Sequence, residues 1–148
     1  MTSSSLPLLI ASDHAGFDLK EAVQKLLSHL KWEDLGPASA SPSVDYPDFA
    51  AKLARRVVTE KRMGVLICGS GIGMSIAANR IKGVRAALVE NPVSARLARE
   101  HNHANVLCLG ARFVAAPYAG EMIRAWLEAT PNTETRHQAR VDKLESIC

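Results

Sequence analysis

The stretch Val65-Leu66-Ile67-Cys68-Gly69-Ser70-Gly71-Ile72-Gly73 decides the fold class, because it joins an apolar run directly to a glycine-rich turn. Three aliphatic residues in a row are typical of a strand that is buried on both faces. The glycines end this strand, and residues 75–79 are predicted to be helical. A strand that passes through a turn into a helix is the repeating unit of parallel α/β sheets.

The same unit recurs on both sides of this stretch. Four further short apolar strands are predicted, at residues 8–11, 32–35, 86–89 and 106–109. The helices between them are predicted from apolar residues at three- and four-residue steps. In the first helix these residues are Leu19, Ala22, Val23, Leu26, Leu27 and Leu30. Asp45 with Pro47, and Asn91 with Pro92, indicate two helix starts.

This alternation predicts an α/β fold with three layers: a doubly wound, Rossmann-like sheet of five parallel strands with helices on both faces. We expect a flavodoxin-like strand order, which makes the first and third strands neighbours. A last helix is predicted from Glu134 to Cys148. The only linker-like segment, Gly36 to Ser43, is too short to separate domains, so residues 1–148 are expected to form one domain.

The composition excludes several classes of protein. Hydrophobic residues make up 47% and charged residues 22% of the chain, which is typical of a globular protein. The formal charge of +3 is small and its cations are scattered, which argues against a nucleic-acid partner. No apolar run approaches the roughly 18 residues of a membrane span. Residues 1–5 lack a cationic leader, and the odd set of three cysteines fits free thiols, so we expect a cytoplasmic protein.

Candidate chemistry lies where the first and third strands end, since ligands of doubly wound sheets bind there. Asp13-His14 ends the first strand and Cys68 ends the third. A thiol between a strand and a helix start is placed to form a thiolate, so Cys68 is a candidate base. The glycine loop could turn N–H groups towards an anion. With Met74 in its sixth place it matches no dinucleotide fingerprint, and alone it is equally well explained as a structural turn.

The remaining candidates also have plain structural explanations. Cys108, inside a strand, is interpreted as an inert core residue. His29 and His103 are interpreted as solvated surface histidines. His101 ends a helix, where a histidine often only complements the helix dipole. Arg136 and Arg140 lie one turn apart on a helix face and could be a solvated charge pair.

Five separated motifs nevertheless occur in order along nearly the whole chain. They are Ser12-Asp13-His14-Ala15-Gly16-Phe17, Val44-Asp45-Tyr46-Pro47-Asp48, Cys68-Gly69-Ser70-Gly71-Ile72-Gly73-Met74-Ser75-Ile76-Ala77-Ala78-Asn79, His101-Asn102 and Arg136-His137-Gln138-Ala139-Arg140. Together they resemble the type B ribose-5-phosphate isomerases and their galactose-6-phosphate and allose-6-phosphate isomerase relatives. The resemblance implies an aldose-ketose isomerase that interconverts ribose 5-phosphate and ribulose 5-phosphate in the pentose phosphate pathway.

The resemblance also implies a role for each matching residue. Cys68 would move the proton through an enediolate, His101 would open the sugar ring, and Ser70 would assist at the sugar oxygens. The residues implied in substrate binding are Asp13, His14, Tyr46, Gly69, Gly71, Ile72, Gly73 and Asn102. Those implied in phosphate binding are His14, Arg112, Arg136 and Arg140. Proton removal next to a carbonyl needs no metal or cofactor, and none is expected.

Two positions assign the chain to one branch of the family it resembles, and a third departs from many relatives. One branch has Gly at the place of Cys68 and Glu at the place of Met74, whereas this chain has a cysteine and a residue that cannot accept a proton. The chain therefore resembles the cysteine branch. Ser70 stands where many relatives have Thr, which keeps the hydroxyl but removes a methyl group.

The predicted fold places these residues at two edges of the sheet. Asp13, Tyr46 and Cys68 follow strands or precede helices, so they lie at the carboxyl edge. His101 and the final helix follow helices and lie at the opposite edge. If both groups serve one site, the simplest assembly is a homodimer, alone or within a tetramer, in which each chain completes its partner's site.

Three alternatives stay open at this point. The substrate could be a hexose 6-phosphate, because the sequence does not reveal the room in the pocket. The chain could be a non-catalytic phosphosugar-binding module, although binding alone requires neither Cys68 nor His101. It could also be a structural dimer without a ligand, which leaves Arg136 and Arg140 unexplained.

Overall fold

The computed structural model describes residues 6–147, in which the chain forms five strands and six helices. In chain order they are β1 (Leu8–Ser12), α1 (Phe17–Leu26), β2 (Trp32–Asp34), α2 (Tyr46–Glu60), β3 (Gly64–Cys68), α3 (Ile72–Ala78), β4 (Ala86–Leu88), α4 (Pro92–Asn102), β5 (Val106–Gly110), α5 (Ala116–Glu128) and α6 (Thr135–Glu145). The predicted place of Cys148 in the last helix lies outside the described residues. None of the helices in this range is long and apolar enough to cross a membrane.

All strands are parallel and form one sheet in the order β2-β1-β3-β5-β4. This confirms the doubly wound α/β class with helices on both faces. The flavodoxin-like order holds through β2-β1-β3, which sets the switch point, but β5 and β4 are exchanged relative to it. The exchange has a physical reason: β5 is buried along its whole length and suits the interior, whereas the three residues of β4 are partly exposed and suit an edge.

The two sheet faces carry separate cores. On one face α1, α4 and α5 cover the sheet, with Val23 and Trp126 packed in the same cluster as Ile10. On the other face α2 and α3 cover it, and Leu53 and Met74 lie in one cluster with Leu66. The alternation of faces along each strand follows from the two-residue period of β structure. The strand β1 therefore contributes Ile10 to the first cluster and Leu9 to the second.

The first helix is shorter than its apolar pattern predicts. It ends at Leu26, and the next residue leaves helical geometry at φ −108° and ψ 42°. The apolar spacing continues because Leu27 is fully buried and Leu30 packs against the same core from the turn before β2. Apolar residues at three- and four-residue steps therefore overestimate the length of a helix when the turn that follows it also packs against the core.

The outer edge of β4 is closed by a side chain. The Nδ2 group of Asn79 donates a hydrogen bond to the carbonyl oxygen of Ala86 at 2.9 Å. The N–H group of Ala86 donates to Oδ1 of Asn79 at 2.8 Å. One amide group thus satisfies both outward polar groups of a strand residue, as a neighbouring strand would.

Candidate active site

A cavity of about 500 Å³ opens at the carboxyl edge of the sheet, where β1 and β3 lie side by side. Nine of the residues predicted from the sequence line it: Asp13, His14, Tyr46, Cys68, Gly69, Ser70, Ile72, Gly73 and Arg112. Parallel pairing explains this placement, since Ser12 lies opposite Ile67 and the two strands end together. Ala15 and Ile76 also line the cavity, although the sequence assigned them no role.

Cys68 is held at the end of β3 with its thiol against the glycine loop. The residue is only 4% exposed, and its Sγ atom accepts a hydrogen bond from the N–H group of Gly71 at 3.1 Å. Gly71 makes this contact at φ +78°, and a side chain there would lie 2.9 Å from the carbonyl carbon of Leu109. Only glycine fits both restrictions. The loop therefore directs a backbone donor at the sulfur.

The other backbone donors of the loop differ in whether they have an acceptor in the described chain. The N–H group of Ile72 donates to Oγ of Ser70 at 3.2 Å. The N–H groups of Ser70 and Gly73 have no acceptor within residues 6–147. Both residues line the cavity. These two groups are available to an anionic oxygen of a ligand.

Asp13 and His14 are fixed by backbone contacts from opposite sides. Oδ1 of Asp13, a residue that is 6% exposed, accepts a hydrogen bond from the N–H group of Gly16 at 2.9 Å. Nδ1 of His14 lies 3.2 Å from both the amide nitrogen and the carbonyl oxygen of Val44. These contacts leave Oδ2 of Asp13 and Nε2 of His14 without a partner in the described chain. Each side chain therefore has one anchored atom and one atom left for a ligand.

Arg112 lies over the glycine loop as an unpaired cation. Its guanidinium carbon would lie 2.9 Å from a Cβ atom at Gly69, so the absence of a side chain there lets the two groups stack closely. The guanidinium has no ion pair or hydrogen bond among residues 6–147, whereas the backbone N–H of Arg112 donates to the carbonyl of Gly69 at 2.9 Å. A fixed backbone with an unpaired, exposed guanidinium is suited to binding a phosphate.

Four predicted site residues lie elsewhere. None of His101, Asn102, Arg136 and Arg140 lines the cavity of Cys68. Asn102 lines a different cavity of about 490 Å³ at the other edge of the sheet, together with Arg85 and Leu144. Arg136 and Arg140 are exposed on α6. The structure therefore divides the predicted site residues into two groups within one copy of the chain.

The second group includes a residue that the sequence did not single out. The imidazole rings of His101 and His137 are stacked, with their centres 4.6 Å apart and their planes inclined by 20°. His137 was quoted only as part of a motif. A signal for it exists in the sequence, because His137 lies one turn before the apolar Val141 and so shares its side of the predicted helix. Both residues are buried in the structure. We call the helix surfaces around this histidine pair the α4–α6 corner.

Several minor assignments can now be compared with the structure. Cys108 is fully buried, and burial, together with the nearby Cys68, raises the pKa of its thiol, as expected of an inert core residue. Met74 is also fully buried beneath the loop, away from solvent. His103 is more than a solvated residue: it ends α4 at φ +51°, and its Nε2 atom lies 2.8 Å from the carbonyl oxygen of Asn132. In the described part of the chain, no group of three or more His, Cys, Asp or Glu residues could hold a metal ion.

A model of the ribose/galactose isomerase family matches residues 8–144. The chain belongs to this family. It is 40% identical to the ribose-5-phosphate isomerase B of Escherichia coli, over 91% of both chains. It is 33% identical to D-erythrulose-4-phosphate isomerase 2 of Mycolicibacterium smegmatis, over 95% of both chains. Family membership confirms the predicted fold and the predicted enzyme class, an aldose-ketose isomerase.

A solved structure supports the same conclusion. The ribose-5-phosphate isomerase B of Mycoplasma genitalium, crystallised with bound ribulose 5-phosphate, superimposes with a TM-score of 0.90. The two proteins are 41% identical, and the match covers 97% of each chain.

Proposed function

We propose that the protein interconverts ribose 5-phosphate and ribulose 5-phosphate through an enediolate, with Cys68 as the base. The observation that carries this proposal is the thiol itself: Cys68 ends β3 inside the cavity, with the N–H group of Gly71 directed at its sulfur. The names of the relatives and the bound ribulose 5-phosphate of the Mycoplasma structure support the choice of substrate.

The proton transfer needs a base and a stabilised oxyanion. The thiolate of Cys68 removes the proton from C2, the carbon next to the aldehyde carbon C1, and then delivers it to C1. A second proton passes from the hydroxyl oxygen on C2 to the oxygen on C1, so that the aldose becomes a ketose. In the enediolate, which forms between removal and delivery of the proton, negative charge develops on the former carbonyl oxygen. The unpaired N–H groups of Ser70 and Gly73 are available to bind it, and such donors contribute about 3 kcal/mol each in other enzymes.

Binding and ring opening fall to the other residues. In this proposal Asp13 and Tyr46 hold sugar hydroxyls from one wall of the cavity, and Ser70 assists at the sugar oxygens. His14 and Arg112 hold the phosphate from the same chain. His101 opens the furanose ring, and Asn102 binds a hydroxyl beside it.

The separation of the two groups leads to a composite site. Within one chain His101 lies at the end of α4, away from the cavity that Cys68 lines. A second copy related by a two-fold axis can bring its own α4–α6 corner over the cavity, and its Arg136 and Arg140 then bind the phosphate together with Arg112. We therefore propose a homodimer, alone or within a tetramer, in which each site uses both chains.

This activity would place the protein in the pentose phosphate pathway, in the cytoplasm. Cys68 and Cys108 are both free thiols, which is the usual state in a reducing compartment. No nucleic acid or membrane has a part in this reaction. No metal or cofactor has one either, because the base and the donors all come from the chain.

The relatives also indicate a second candidate for the substrate. A relative named for D-erythrulose 4-phosphate shows that family members differ in the sugar they use. Initial turnover rates with ribose 5-phosphate, allose 6-phosphate and D-erythrulose 4-phosphate, each with and without EDTA, separate the possibilities. We expect the highest kcat/KM with ribose 5-phosphate and no effect of EDTA. A preference for another sugar would reassign the substrate, and binding without turnover of any sugar would indicate a phosphosugar-binding module.

A further inference from the structure

The histidine pair at the α4–α6 corner lies on a face of α6 that differs from the face of the two arginines. His137 and Val141 are 7% and 5% exposed. Arg136 and Arg140 are exposed and lie one helical position earlier. A rotation of about 100° per residue separates the two stripes. The contact made by His137 therefore sets the rotation of α6 about its axis, and with it the direction in which the arginines project.

The start of α6 is also tied to the end of α4 by backbone contacts. The N–H group of Asn132 donates to the carbonyl oxygen of Glu100 at 2.8 Å. The carbonyl oxygen of Asn132 lies 2.8 Å from Nε2 of His103. Together with the stacked rings, these contacts hold the start of α6 and the segment before it against the end of α4. His101 lies between them, one residue after Glu100 and two before His103.

The charges around the pair favour a neutral His137. Burial lowers the pKa of His137, and the adjacent His101, Arg136 and Arg140 lower it further. Glu134, the residue that precedes α6, raises the pKa of His137, but its effect is smaller than the sum of the others. A neutral ring can stack on a second imidazole without the repulsion that two imidazolium rings would suffer. A neutral His137 is therefore suited to packing against His101.

We propose that His137 is a positioning residue for His101: its stacked ring holds the neighbouring imidazole, and the arginine pair beside it, in the geometry that ring opening requires. This proposal rests on the proposed role of His101. The role of His137 is mechanical, so any flat ring that preserves the stack should replace it, whereas a small side chain should not.

Three variants test this distinction. His137→Phe keeps an aromatic ring but cannot carry a proton, and His137→Ala removes the ring. Val141→Ala is the matched control, because it shortens a side chain on the same buried stripe one turn further along. The imidazole NMR signals of His101 report the stack directly: they should shift in His137→Ala and stay near the stacked position in His137→Phe.

Kinetics then separate positioning of His101 from a general loss of structure. Ribulose 5-phosphate cannot close a furanose ring because its terminal hydroxyl is phosphorylated. Exchange of its C1 proton with D₂O therefore needs the base but no ring opening. At saturating substrate, His137→Ala should lower kcat for ribose 5-phosphate by about 100-fold, the cost of a catalytic group displaced by about 1 Å. Its exchange rate with ribulose 5-phosphate should stay at the wild-type level.

We expect His137→Phe and Val141→Ala to turn over ribose 5-phosphate nearly as fast as the wild type. A phenylalanine variant as slow as the alanine variant would overturn the proposal, since the imidazole chemistry of His137 would then be needed. Equal losses of turnover and exchange in His137→Ala would also overturn it. A wild-type protein with neither turnover nor exchange would instead contradict the proposed function, while the NMR signals would still report whether the stack exists.

Discussion

The cavity of Cys68 and the α4–α6 corner differ in the elements that form them and in the exposure of their side chains. In the cavity, strand ends and a glycine loop place buried groups such as Asp13 and Cys68 against backbone donors. In the corner, two helix surfaces meet through a ring stack and present exposed guanidinium groups. Under the proposed function, in which the cavity abstracts the proton and the corner binds the phosphate, the difference teaches that these two tasks require different surroundings. A base needs a fixed, shielded partner, whereas a phosphate is captured first by charges that reach into solvent.

The largest expected effect comes from removing Cys68, which is the base in the proposed mechanism. Cys68→Ala should lower kcat by about 100- to 10,000-fold, the usual contribution of a positioned base, while the protein stays folded. Circular dichroism and turnover of ribose 5-phosphate measure the two properties. Cys108→Ala is the matched control, because it removes the other buried thiol and should keep its activity. Near-normal turnover of Cys68→Ala would show that Cys68 is not the base.

The corner should respond in affinity rather than in proton transfer. Arg136→Ala and Arg140→Ala each remove a charge-assisted hydrogen bond, worth roughly 1.5 to 3 kcal/mol or about ten- to a hundredfold in affinity. Titration with inorganic phosphate measures this loss. Arg96→Ala is the control, because that exposed arginine on α4 pairs with Glu100 and takes no part in the proposed site. Unchanged affinity in both α6 variants would show that the two arginines are only solvated surface residues and do not bind the phosphate.

A mixing experiment asks whether the two regions meet across chains. Inactive Cys68→Ala and inactive His101→Ala proteins are mixed under conditions of subunit exchange. One heterodimer site then combines an intact cavity with an intact corner, and the other carries both defects. With equal mixing and random exchange, half of the dimers are mixed and each has one good site of two, so about a quarter of wild-type activity should return. Proven exchange without recovered activity would exclude a shared site.

The smallest effect on activity should come from a charge network outside both regions. Its removal tests whether a loss of stability alone changes the activity of the two regions. Glu60 accepts hydrogen bonds from Arg56 and from Arg62, and these lower its pKa to about 2. Since this pKa is lower in the folded than in the unfolded chain, ionised Glu60 stabilises the fold above its ordinary value of 4.5. That contribution is lost as the pH falls from there towards 2.

Glu60→Gln should therefore unfold at lower urea concentration than the wild type at pH 7, and the two midpoints should converge as the pH approaches 2. Its kcat at pH 7 should not change. Glu121→Gln is the control, because that exposed glutamate has no ion pair in the described residues. A difference between the wild type and Glu60→Gln that persists to pH 2 would contradict the ionic origin of the effect.

The sequence predicts the buried parts of the fold better than its edges. β1, β3 and β5 were predicted because each is a run of apolar residues that needs both faces covered. The place of β4 was not, since Ala86–Leu88 carries no local signal of which neighbour it pairs with. Leu30 was assigned to a helix because its spacing fits, although it packs from a turn.

The candidate site shows the same limit. Sequence motifs assembled the residues around Cys68 because strand ends bring them to one edge of the sheet. The stack of His101 on His137 depends on how α6 packs against α4, which no spacing along the chain encodes. Likewise, Arg112 was expected at the phosphate, but its close approach to Gly69 appears only in three dimensions.

The amide of Asn79 on the edge of β4 has a consequence for how copies of this chain can associate. An open strand edge is a template on which another chain can extend the sheet, and such growth has no natural end. By occupying the outward N–H and C=O groups of Ala86, Asn79 removes two of the hydrogen bonds that a strand docking on β4 would use. This disfavours extension of the sheet at β4, so we expect the subunits of the proposed homodimer to meet through side chains on helices and loops rather than through this strand edge.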